Sequence, residues 1–91
     1  MPELESKNNV SVIIPAFNEE KTVAEVIKAC KESKYVSEII VVDDGSSDNT
    51  SKVALKEGAK VLRENVNKGK AYAMLRGCSK AKGEIVLFLD A

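Results

Sequence analysis

The chain has 91 residues, 44% of them hydrophobic, with fourteen Lys and Arg balancing fourteen Asp and Glu and no histidine. That length fits one small domain, which buries about 60–65% of the surface its unfolded chain exposes. Zero net charge excludes the clustered basic footprint of a nucleic-acid binder. The lack of histidine excludes Ser-His-Asp and Cys-His nucleophiles, leaving carboxylates, lysines and backbone groups for any chemistry.

Residues 1–9 are polar and without period, a flexible N-terminal lead to a domain over residues 10–91. Val10 to Ile14 is a β-branched run closed by Pro15, and Glu38 to Val42 a second one closed by Asp43, Asp44 and Gly45; both read as strands. Between them Val23, Val26, Ile27 and Cys30 recur at i, i+3, i+4 and i+7, one face of a helix that begins near Glu19 to Thr22. Its caps are Asn18, or Thr22 in a capping box with Glu25. Ser46 or Ser47 caps a second helix through about Glu57, stopped by Gly58. Lys60 to Arg63 is a third strand. A third helix runs from Lys68 to before Gly83 with Ala71, Met74, Leu75 and Cys78 on its core face, and Glu84 to Leu89 is the fourth strand. The two cysteines, Cys30 and Cys78, are too few for a zinc site and are expected to pack. The longest apolar runs, such as Ile85 to Leu89, fall far short of the roughly 18–20 residues that span a bilayer, and no basic n-region with an apolar h-region opens the sequence. A cytoplasmic protein with no membrane segment is expected.

The pattern β-α-β-α-β-α-β with continuous apolar strands argues for an α/β fold: a three-layer sandwich with a parallel four-stranded sheet covered on both faces. Right-handed crossovers with strand four returning beside strand one give the order 3-2-1-4, the first two helices on one face and the third on the other. A topological switch point then lies between strands one and four, where open α/β sheets bind ligands. No G-x-G-x-x-G or P-loop is present to hold phosphate. The strand ends carry acids instead: Glu19 and Glu20, then Asp43, Asp44 and Asp48, then Asp90. Converging carboxylates suit a hard divalent cation, or hydroxyl and base N–H groups.

Four segments carry a resemblance: Val10-Ser-Val-Ile-Ile-Pro-Ala-Phe-Asn-Glu-Glu20, Ile39-Ile-Val-Val-Asp-Asp-Gly-Ser-Ser-Asp-Asn-Thr50, Asn67-Lys-Gly-Lys-Ala71 and Gly83-Glu-Ile-Val-Leu-Phe-Leu-Asp-Ala91. In that order they resemble the nucleotide-sugar-binding half of family 2 glycosyltransferases with the Rossmann-like GT-A fold. The resemblance implies that Pro15, Ala16 and Phe17 form the wall beside nucleobase and ribose, and that Glu19 reaches the ribose or base. It implies that Asp44 accepts from a base N–H, that Asp43 shapes the same turn, and that Lys68, Gly69 and Lys70 pass near base and diphosphate. Asp90 would be the first acid of a D-x-D motif, touching the ribose and the zone of a Mn2+ or Mg2+ ion. The implied ligand is a UDP- or GDP-linked sugar. The second acid and the catalytic base of the family lie downstream of Ala91, so the chain reads as a truncated donor-binding domain, inactive or nearly so on its own.

Local readings stand beside these. Pro15 can simply end a strand, Asn18 cap a helix, Asp43-Asp44-Gly45-Ser46 form a turn, and Asp48 face a helix dipole. Lys68 and Lys70 can be solvated, and Phe17 can be core. A non-catalytic half-domain that self-associates or binds nucleotide weakly is the alternative function. A receiver-like domain is disfavoured because its acid pair follows strand one. The fourth strand, residues 85–89, is an apolar edge expected to pair with its copy in a homodimer.

Overall fold

The β-branched runs Val12 to Ile14 and Ile39 to Val42 make the middle of the two central strands, because a strand covered on both faces there needs apolar side chains at successive positions. The computed structural model of the protein describes residues 9–91, so the N-terminal lead, Asn9 apart, lies outside the described residues. The elements are β1 (Val10–Ala16), α1 (Val23–Lys31), β2 (Val36–Asp43), α2 (Thr50–Lys56), β3 (Lys60–Arg63), α3 (Lys70–Lys80) and β4 (Ile85–Phe88). All strand pairs are parallel and the order is β3-β2-β1-β4, as the crossover rule predicts. The fold is a three-layer, Rossmann-like α/β sandwich.

In the register Val12 faces Ile39 and Ile14 faces Val41, while Ile13 faces Ile40 between them. Alternation sends Val12, Ile14, Ile39 and Val41 beneath α1 and α2, where they meet Val23, Ile27, Cys30 and Ala54. Ile13, Ile40 and Val42 take the other face beneath Ala73 of α3. Val12, Ile13, Ile14, Ile27 and Ile40 are at most 1% exposed, and burial of such side chains contributes about 1.5–3 kcal/mol each.

The structure corrects the reading of α3. Its sheet-facing residues are Ala73 and Gly77, whereas Ala71, Cys78 and Leu75 are exposed, Leu75 at 70%, and Met74 is half-buried. Bulk decides this: an ideal Cβ on Gly77 would stand 2.4 Å from Ile13 Cγ2 and 3.2 Å from Val42 Cγ2. The branched strand side chains already fill the interlayer space, so the helix must present its smallest residues. Cys30 packs as expected, but Cys78 does not.

Helix starts also differ by a few residues. Thr22 and Asn49 occupy the N-cap positions of α1 and α2 without side-chain caps, so neither the Thr22–Glu25 box nor a Ser46 or Ser47 cap forms. Thr22 and Ser46 are used elsewhere: the Thr22 hydroxyl donates to Glu19 Oε1, and Ser46 Oγ accepts from the Asn18 N–H.

At the amino ends of the strands Glu38 of β2 acts as a clamp. Its carboxylate accepts from the Ser11 hydroxyl of β1, from Lys60 Nζ of β3 at 2.9 Å and from the Lys82 N–H ahead of β4. Asn9 ties in beside it, its N–H donating to the Tyr35 carbonyl and its side chain to Glu84. Among the described residues β4 pairs with β1 alone, and Ile85, Val86, Leu87 and Phe88 are 36–56% exposed. Leu87 and Leu89 border an apolar groove of about 270 Å³ with Val10, Val12, Cys30 and Tyr35.

Candidate functional site

Every parallel strand delivers its following loop to the same rim. The carboxyl ends of β1, β2 and β4, with the loop entering α3, enclose a cleft of about 380 Å³. It lies at the predicted switch point between β1 and β4. Eight of the ten residues expected at the site line it: Pro15, Ala16, Phe17, Glu19, Asp44, Gly69, Lys70 and Asp90. Phe17 is 45% exposed there, so its ring is a free apolar wall instead of a core aromatic.

Asp44 is 4% exposed and takes the Lys68 N–H on Oδ1 at 2.7 Å and the Gly69 N–H on Oδ2 at 2.9 Å. It therefore fixes the loop before α3 against the end of β2. Each carboxylate oxygen has a further lone pair, so acceptor capacity toward the cleft remains. The loop needs its glycine, since Gly69 has φ +98 with open space around an added Cβ. Gly45 is required for a different reason: a Cβ there would meet Val66 C and Asn67 N at 2.8 Å.

Two expected residues face away. Asp43 is fully buried inside the β2–α2 turn, accepting from the Ser46 N–H, the Ser51 hydroxyl and Arg63 Nη1. Burial pushes its carboxyl up, but the Ser46 and Ser51 hydrogen bonds and the Arg63 charge outweigh that and hold it below the usual carboxylate range. Lys68 contributes only its N–H, because its ammonium sits 4.8 Å from the Tyr72 ring centre and 3.5 Å from Glu64 Oε1.

Sequence reasoning missed how the first two motifs hold each other. Asn18, at φ 55, donates its N–H to Ser46 Oγ and accepts the Ser47 N–H on Oδ1. The Glu19 N–H donates to Thr50 Oγ1, the Glu20 N–H to Asp48 Oδ2 and the Asn49 N–H to Glu20 Oε1. Polar residues that look like two independent turn-and-cap sets are thus spent across the gap between loops. Lys70 and Asn67 also line the cleft, and Lys70 Nζ pairs with Asp90 Oδ1 at 2.5 Å. Lys70 was expected near the base and diphosphate from the Asn67-Lys-Gly-Lys-Ala71 segment, whereas its pairing with Asp90 was not.

Residues 11–91 match the family model described as glycosyl transferase family 2. The chain belongs to that family. It is 38% identical to the 4,4'-diaponeurosporenoate glycosyltransferase of Staphylococcus haemolyticus over 96% of this chain and 25% of that relative. Among solved structures, glucosyl-3-phosphoglycerate synthase from Mycobacterium tuberculosis, in complex with Mn2+, UDP and glucosyl-3-phosphoglycerate, superimposes at TM-score 0.81. Its sequence identity is 34%, over 94% of this chain and 34% of that one. Mannosyl-3-phosphoglycerate synthase from Rubrobacter xylanophilus gives TM-score 0.86 at 33% identity, over 98% and 32%. This family 2 chain thus spans a quarter to a third of the length of these relatives, and its sheet is the corresponding part of a GT-A fold.

The family implies a divalent ion, and the donor set decides whether this chain fits one. Among the described residues no three Asp, Glu or Cys side chains converge as a cation-binding group. Asp90 already has an ammonium partner, and both Asp44 oxygens accept from backbone. The described residues alone do not fit a hard cation, which needs several oxygen ligands. What the cleft offers is an apolar wall, one buried acceptor and one lysine. Among the described residues no helix is long and apolar enough to cross a membrane.

Proposed function

We propose that residues 10–91 are the donor-binding part of a glycosyltransferase that takes its sugar from a UDP- or GDP-linked donor. The observation that carries this reading is the convergence of Pro15, Phe17, Glu19, Asp44 and Asp90 on one cleft of about 380 Å³, within the size range of small-ligand sites. Phe17 and Pro15 suit the face of a base, and the Asp44 acceptor suits a base N–H. The UDP held by the mycobacterial neighbour supports the donor class. The neighbours' divalent metal belongs to the reading for the complete family domain. Transfer to an acceptor is not assigned to this chain alone, because its relatives are several times longer.

Titrating UDP, GDP and ADP into the 15N-labelled chain tests the proposal. Shifts confined to Phe17, Asp44, Gly69 and Asp90 with UDP or GDP are expected, and Asp44→Ala should abolish them while the spectrum stays folded. Silence toward every nucleotide refutes donor binding.

The exposure of β4 favours a second role, self-association through residues 85–89. An antiparallel pairing of two β4 edges would continue the sheet through a dimer. Sedimentation from low to high micromolar concentration should show a monomer–dimer equilibrium that Leu87→Lys removes; a monomer throughout rules it out.

A further inference from the structure

Phe17 is half exposed in the cleft, so packing alone does not set where its ring stands, and the backbone on either side must. On one side the Ala16 carbonyl accepts the Asp44 N–H at 2.8 Å, which ties the end of β1 to the acid at the cleft. On the other side stands Asn18, among the described residues the one non-glycine in the left-handed region. Most side chains resist that conformation, and asparagine and aspartate tolerate it best. Three contacts with the β2–α2 loop hold it. The Asn18 N–H donates to Ser46 Oγ at 2.8 Å, and Asn18 Oδ1 accepts the Ser47 N–H at 2.8 Å and the Ser47 hydroxyl at 3.3 Å. Ser46 is itself fixed: it is buried, its N–H donates to Asp43 Oδ1 at 2.9 Å, and its carbonyl accepts from Arg63 Nη2 at 2.7 Å. Asn18 does not line the cleft, so any effect it has on a ligand there passes through its neighbours.

We infer that Asn18 is a positioning residue for the nucleotide, setting the Phe17 ring relative to Asp44 by carrying the fixed geometry of Asp43, Arg63 and Ser46 across to the β1–α1 loop. The inference rests on the donor-binding reading and adds how the apolar wall and the acceptor keep their spacing. Asp44 anchors Ala16 directly and Asp43 anchors Asn18 through Ser46, so one dipeptide clasps Phe17 from both sides. Asn18→Gly leaves the left-handed φ accessible but removes both Ser47 contacts and the side chain that confines the backbone. Asn18→Asp keeps Oδ1 and the tolerance for positive φ.

The test is calorimetric titration of the full chain with UDP and with GDP in wild type, Asn18→Gly, Phe17→Leu and the double variant, each fold verified by its 15N spectrum. Asn18→Gly should weaken the nucleotide by about threefold or more, and should cost nothing further once the ring is gone. Ser46→Ala, which removes the acceptor of the Asn18 N–H, is a second arm expected to behave in the same way. In the ligand-free chain the order parameter of the Phe17 N–H should fall in Asn18→Gly and keep its wild-type value in Asn18→Asp. Full affinity in both Asn18→Gly and Ser46→Ala overturns the inference and leaves the donor-binding reading intact. So does an equal loss with and without the ring, which marks a merely structural role, or an order parameter that Asn18→Gly does not move or Asn18→Asp does not keep. Absence of binding by wild type to either nucleotide defeats both.

Discussion

At the scale of single residues, the motifs divide into side chains that face ligand space and side chains that hold the backbone. Adjacent Asp43 and Asp44 are both almost wholly buried, yet one is consumed inside its own turn while the other holds the neighbouring loop at the cleft. Nothing in the dipeptide separates the two roles, because strand alternation alone sends them to opposite sides, and the turn that follows sets what each one meets. Gly77 makes a sharper case. An alanine there must displace Ile13 or lift α3 from the sheet, since its Cβ would stand 2.4 Å from Ile13 Cγ2. Gly77→Ala should therefore destabilise the chain by about 1–3 kcal/mol despite alanine's better helix propensity. The drop is read from the urea midpoint at unchanged m-value. An unchanged or raised midpoint would falsify the close approach of α3 to β1.

At the scale of elements, order and type were legible because β-branched runs and helical spacing rarely coincide, and β3 spans Lys60–Arg63 in both sequence and structure. The sheet-facing side of α3 was not legible. Periodicity weighs Met74 and Leu75 by hydrophobicity, whereas the packing here selects by size. Helix starts were blurred for a related reason: polar residues suited to capping are claimed by partners 28 to 31 positions away. The junction of β1, β2, β3 and the approach to β4 at Glu38 was also hidden, since one glutamate in a strand carries no mark of three donors. Burial raises the Glu38 carboxyl, but the Ser11 and Lys82 hydrogen bonds and the Lys60 ammonium bring it from an ordinary 4.5 down to about 2. A depressed folded value stabilises the native state fully above pH 4.5, and that contribution fades as pH falls toward 2. It amounts to about 3 kcal/mol at most. Wild type and Glu38→Gln should therefore differ in urea midpoint by a constant amount near neutrality and converge between pH 4.5 and 2. Parallel curves through that window would show that Glu38 does not carry the acid sensitivity.

At the scale of the whole molecule, β4 reaches β1 across a long stretch of chain, with Val10 beside Ile85 in the register. The β1–β2 and β2–β3 pairings close much shorter loops, Val12 to Ile39 and Val41 to Val61. Loop-closure entropy grows with separation, so the three-stranded unit has the lower cost of assembly and β4 docks on it afterwards. Mutational kinetics should give fractional φ-values for Ile40→Val in β2 and values near zero for Phe88→Ala in β4. A high value at Phe88 would place β4 in the folding nucleus. The order of events bears on the cleft, since Asp90 travels with β4 while Phe17 and Asp44 travel with the strands that pair first. A partly assembled chain with β4 still free has the wall and the acceptor but lacks the carboxylate that restrains Lys70. The cleft is then completed by the last strand, and loss of β4 from the edge would cost the molecule its mouth before its core.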